Sequence, residues 1–192
     1  MAKLIHSKTR LLALFCLFLA MFFGTLPARA EVDHSDMIEE QVKAAFLYKF
    51  GSYVEWPAGE FSTASSPLTI GVIGAEVLAD QLVQMTAGRT INGHPIIVRK
   101  LQDENPGIDV NVLFVGHSHN SHLGAILAAV KGRPVLTVTE SDEGMVPGSM
   151  INFVIVDGKV RFEIAPEMAN RENLLISARL LAAAYRVSLR AS

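Results

Sequence analysis

Residues 110–131 read VNVLFVGHSHNSHLGAILAAVK. The first seven are almost all apolar, β-branched or aromatic, and a run that short predicts a strand buried on both faces. LGAILAAVK (123–131) follows with helical spacing. A fully apolar strand that feeds a helix predicts a parallel sheet whose faces are covered. The joining loop holds His117, His119 and His122, three of the six histidines in the chain.

The same grammar extends to either side. LTIGVIG (68–74) is a second apolar strand, followed by an amphipathic helix at Glu76–Ala87 with Val77, Leu78, Leu82 and Met85. Asn92-Gly93 marks a turn before a strand at 95–101. PVLTVTE (134–140) is another strand. SMINFVIV (149–156), Asp157-Gly158 and KVRFEIA (159–165) predict a hairpin, because Asp-Gly suits a type I′ turn. Residues 36–56 predict a helix whose apolar stripe is Ile38, Val42, Ala45, Phe46, Phe50 and Tyr53, with Lys49 as its polar exception; Pro57 ends it. Asp36 and Glu39 resemble a capping pair. A long helix over 166–188 closes the chain. The expectation is α/β: a single three-layer α/β sandwich over residues 31–192, with a mainly parallel sheet and a C-terminal antiparallel hairpin at its edge.

The first thirty residues predict a secretory signal peptide. Lys3, Lys8 and Arg10 precede thirteen apolar residues, LLALFCLFLAMFF, too few to span a bilayer comfortably, and Ala28-Arg29-Ala30 supplies the small-x-small cleavage pattern. The segment takes four of the 17 basic residues and none of the 19 acidic ones, leaving 13 against 19, a net charge of −6. That balance argues against nucleic acid or anionic lipid as partners. Cys16, the only cysteine, lies in the same segment, so the remaining chain has no disulfide and no thiolate chemistry. Export from the cytoplasm follows as an expectation.

Several stretches taken in order resemble the YfiR family of periplasmic proteins: VKAAFLYKFGSYVEWP (42–57), LTIGVIG, GRTINGHPIIVRKL (88–101), VNVLFVG, PVLTVTE, GSMINFVI (148–155), RFEIA (161–165) and NLLISARLLAAAYRV (173–187). The resemblance implies a dimeric regulator rather than an enzyme. It implies binding to the periplasmic sensor domain of an inner-membrane diguanylate cyclase, which is held inactive, lowering cyclic-di-GMP and biofilm formation. Another membrane sensor remains open as the partner. The chain departs from the family pattern in having no cysteine after residue 30, so redox control does not carry over. It also has Asn173 where Gly is usual, and Asn is the next best residue for a left-handed turn.

Two readings of the His loop stand open. As a metal site, His119 and His122 share a helical face at i, i+3 and His117 precedes them, at the carboxyl edge of the sheet where ligands of open α/β folds bind. As a helix cap, Ser118, Asn120 and Ser121 explain a polar loop without a ligand, and the loop offers no Asp, Glu or Cys. The sequence favours no metal, no cofactor and no catalytic residue; His117, His119 and His122 are the alternative, a metal or small-ligand site. Neither Gly-x-Ser-x-Gly nor Gly-x-Gly-x-x-Gly occurs, and neighbouring Ser and His rarely place Oγ on the imidazole. Glu140, Asp142 and Glu143 predict a solvated acidic turn before Gly144 rather than a cation site. For the partner, an edge strand is a natural docking rail, so Arg161 and Glu163 on the last strand and Met168 at the next helix are the candidate surface. Tyr53 and Trp56 are assigned to packing.

Overall fold

The computed structural model describes residues 34–63, 65–102 and 109–188; the signal peptide expected at 1–30 lies outside them. The elements run α1 (His34–Ser52), β1 (Val54–Glu55), β2 (Leu68–Ile73), α2 (Glu76–Thr86), β3 (Thr90–Ile91), β4 (His94–Leu101), β5 (Val112–Val115), a 3-10 helix (His117–His122), α3 (Leu123–Ala129), β6 (Leu136–Thr139), β7 (Ile151–Val156), β8 (Lys159–Ile164), α4 (Pro166–Arg171), β9 (Leu175–Ile176), α5 (Ala178–Ala183) and β10 (Arg186–Val187).

Eight strands form one sheet in the order β10-β8-β7-β6-β5-β2-β4-β3, and β1 pairs with β9 apart from it. Strands β4, β2, β5, β6 and β7 run parallel, as the strand–helix alternation predicts. The sheet as a whole is mixed rather than mainly parallel, because β7–β8 and β4–β3 are antiparallel and β10 returns parallel to β8. Tight turns cause this mixing. Asp157 and Gly158 have φ of 50° and 68°, and Asn92 and Gly93 have 52° and 90°. Those are the two successive positive values a type I′ hairpin requires.

β5 and β6 are buried at every residue, and β2 at all but one. Alternate residues serve two clusters. Val112 and Phe114 join α1 and α2 through Leu47, Phe50 and Leu82. Leu113 and Val115 join α3 through Leu123, Ile126 and Leu127. Rings of Phe46, Phe50, Phe153 and Phe162 meet at centroid distances of 5.1–6.2 Å, and fix α1 on the β7–β8 hairpin. Tyr53 and Trp56 pack against this cluster, as expected.

Two helix expectations are corrected. In α1 the buried stripe is Lys43, Ala44, Leu47 and Phe50, whereas Ile38 and Val42 are 49% and 36% exposed. The stripe is rotated by about one residue because the paired charges of Lys43 let it pass as core, and Gly51 allows close approach to Ile91. The single helix expected over 166–188 is divided. Asn173 takes a left-handed φ of 60°, and Leu175–Ile176 then pair with Val54–Glu55. Ser177 caps α5 by accepting from Leu180 N at 3.3 Å. β10 then lies outside β8, at Glu163 and Ile164, so the hairpin is not the outermost pair of the sheet.

Replacing Phe50 by Ala is expected to cost about 3–5 kcal/mol, and Ile38→Ala less than about 0.5 kcal/mol, in urea unfolding. Equal losses would restore the stripe read from the sequence.

Candidate functional site

The carboxyl ends of β2, β5 and β6 place Gly74, Gly116 and Glu140 along one rim. The connections from β2 and from β5 leave in opposite directions there, towards β4 and β6, the usual ligand crevice of an open parallel sheet. In this protein the His loop packs into it. Gly74 has φ 68°, and a Cβ on it would collide with His119 Nδ1 and Ser118 Oγ. Ser118 Oγ donates to Gly74 O at 2.8 Å. His119 N donates to Gly116 O at 3.1 Å.

The three imidazoles do not converge on one point, although the rings of His119 and His122 lie 6.4 Å apart. His117 Nδ1 lies 3.1 Å from Asn120 Nδ2 and 3.4 Å from Asp142 Oδ2. His119 Nδ1 is 2.9 Å from Ser118 Oγ, and His122 Nδ1 is 3.1 Å from Ser121 Oγ. Neighbouring Ser and His therefore do meet, against the sequence argument. The Ser118 proton is committed to a carbonyl, however, so His119 meets the hydroxyl as donor, the reverse of nucleophile activation. Among the described residues the close set of three potential metal ligands is Glu39, Glu40 and Glu140, not the histidines.

That carboxylate set already holds a cation. Lys43 is 1% exposed. Its Nζ lies 2.6 Å from Glu39 Oε1, 3.0 Å from Glu40 Oε1 and in very short contact with Glu140 Oε1. Burial alone would depress the ammonium, but hydrogen bonds from Lys43 to Glu140 and Glu39 outweigh it and hold its pKa above the ordinary value. Burial raises the pKa of Glu40, with Glu140 and Glu39 adding to the rise and Lys43 opposing it. Glu39, Glu40 and Lys43 lie one helical turn apart, a spacing visible in the sequence. Glu140 is 97 positions away from Lys43, and the sequence carries no signal for that pairing.

The loop after Glu140 is held from beneath. Asn152 Oδ1 accepts from Thr139 Oγ1 at 2.8 Å and from Ser141 N at 2.9 Å, and its Nδ2 donates to Ser141 O at 3.2 Å. Two cavities flank this loop. One of about 810 Å³ lies between α3, residues 141–148 and α4, with Leu127, Met150 and Met168 in its wall. The other, of about 520 Å³, is lined by Lys43, Glu140, Asp142, Glu143, Phe153 and Ile155 among others. The candidate partner residues differ in exposure. Arg161 is exposed and Met168 half-buried, whereas Glu163 is 6% exposed and paired with Arg186 Nη1 at 3.0 Å.

Glu140→Gln removes the inter-element contact of Lys43 and is expected to cost about 1–3 kcal/mol at pH 7. Glu40→Gln is expected to be neutral or stabilising there. The folded pKa of Glu40 is raised, so the stability it contributes is present below 4.5 and lost as pH rises through its raised value. The advantage of Glu40→Gln in melting temperature is therefore expected to shrink from pH 7 to pH 5; a growing advantage would contradict this cluster.

A model of the YfiR/HmsC-like family matches residues 40–185, from within α1 to just past α5. No curated protein matches the chain. The family is one of periplasmic, non-catalytic regulators of cyclic-di-GMP signalling that act on a membrane signalling protein. Among the described residues no helix is long and apolar enough to cross a membrane. With most of its length matched, the chain belongs to the YfiR/HmsC-like family.

Proposed function

We propose that this protein is a periplasmic repressor that binds the periplasmic sensor domain of an inner-membrane diguanylate cyclase and lowers cyclic-di-GMP. The observation that carries this reading is the family match over residues 40–185. The signal-like first thirty residues support export. The protein acts as a homodimer and without catalysis, its dimer clamping the sensor domain.

The contact surface proposed is the end of the sheet around Arg161, Glu163 and Met168. Arg161 and Met168 are reachable from solvent. Glu163 acts through its ion pair, by which it holds the largely exposed Arg186 in place. A single charge change at Arg161 leaves the buried core untouched, so it separates binding from folding.

Deleting the gene is expected to raise cellular cyclic-di-GMP, and the wild-type gene to lower it again. Arg161→Glu is expected to accumulate as a folded protein and to fail to restore repression, because reversing an exposed charge at a contact surface removes the interactions that the guanidinium makes there. An unchanged cyclic-di-GMP level on deletion removes the repressor reading. Full repression by Arg161→Glu removes Arg161 from the surface.

A further inference from the structure

Strand β6 stops at Thr139, but its neighbour β7 runs on to Val156. The two share only the register pairs Val138↔Ile151 and Thr139↔Asn152, while β8 follows β7 along its whole length. From Phe153 onward, no strand among the described residues lies on the β6 side of β7. An antiparallel ladder turns the N–H and C=O of every second residue away from its partner. Behind the two-residue turn at Asp157-Gly158, Ile155 is such a residue, and it is 52% exposed.

This open edge is one wall of the 520 Å³ cavity. The cations in its wall are engaged, Lys43 by three carboxylates and Arg186 by Glu163. On the rim Glu143 is exposed, and the Asp142 side chain is 83% exposed with only a 3.4 Å contact to the ring of His117. The place where main-chain hydrogen bonds are on offer is thus bordered by exposed acidic side chains.

We propose that this notch docks an extended segment of the partner in which Lys or Arg alternates with apolar residues. The segment continues the sheet beside β7, its apolar side chain against Ile155 and its cation facing Asp142 and Glu143. Edge pairing supplies affinity and the acidic rim selects the sign of charge. The four positions Phe153–Val156 span roughly 13 Å, so the segment is short. A second copy offers similar chemistry in Lys159-Val160-Arg161, but a β7-to-β8 contact is head-to-tail and does not close into a dimer. The partner of the proposed function is therefore the occupant, and the inference rests on that reading.

The probe is a labelled peptide, Arg-Val-Lys-Val-Arg, compared with its Glu-substituted counterpart on the purified protein. The basic peptide is expected to bind at least about tenfold tighter, to slow amide exchange at residues 153–156 and to weaken with salt. Ile155→Pro, which removes the outward N–H, is expected to lose binding. Asp142→Lys with Glu143→Lys, both on the exposed loop, is expected to reverse the charge preference, and it keeps the test available if Ile155→Pro does not fold. Equal binding of the two peptides, or protection elsewhere, overturns the proposal. So does protection of 153–156 that rises with protein concentration without peptide, which assigns the notch to a second copy. This assay needs no cyclase, so its failure is distinct from an unchanged cyclic-di-GMP level on deletion.

Discussion

The structure depends on three short strands, β2, β5 and β6, having almost no residue that touches water. A strand buried on both faces leaves no position for a polar side chain that its neighbours do not satisfy. Both faces must be covered, and two separate apolar clusters do this, one with α1 and α2 and one with α3. Polar chemistry is displaced to the strand ends. That is why the His loop, the acidic turn and the Lys43 cluster all gather at one rim.

At that rim the polar groups are tied to one another rather than left open. Ser118 and His119 close the crevice over Gly74. Lys43 brings a full positive charge into the core, which is tolerable only because three carboxylates surround it. One of them, Glu140, is the first residue after β6, so the same contact joins α1 to the loop between the two cavities. The buried Asn152 fixes that loop from below. A site of this kind orients surfaces and loops, as a regulator needs, and holds no activated nucleophile at Ser118.

Several elements were legible because local chemistry decides them. Asp157-Gly158 and Asn92-Gly93 adopt the positive φ values that their hairpins need. Asn173 takes the left-handed turn expected of it. Other elements depend on distant partners. The periodicity of α1 pointed to Ile38 and Val42, but burial of Lys43 turns the helix, since a lysine reads as polar until its acids are known. The periodicity of 166–188 was helical throughout, but the pairing of Leu175–Ile176 with β1 divides it. Glu163 looked like a surface residue on an edge strand, and β10 and Arg186 enclose it.

The sequence by itself determined the six longer strands, their parallel core, the hairpin at Asp157-Gly158 and the family, because apolar runs, turn residues and their order are properties of neighbours along the chain. Only the tertiary structure decided which face of α1 is buried, that Glu140 meets Lys43, that the three histidines do not converge, and that β7 outruns β6 to leave an open edge. Those features depend on pairings between residues far apart in the chain, whose energies are set by burial and by partners that local spacing does not encode.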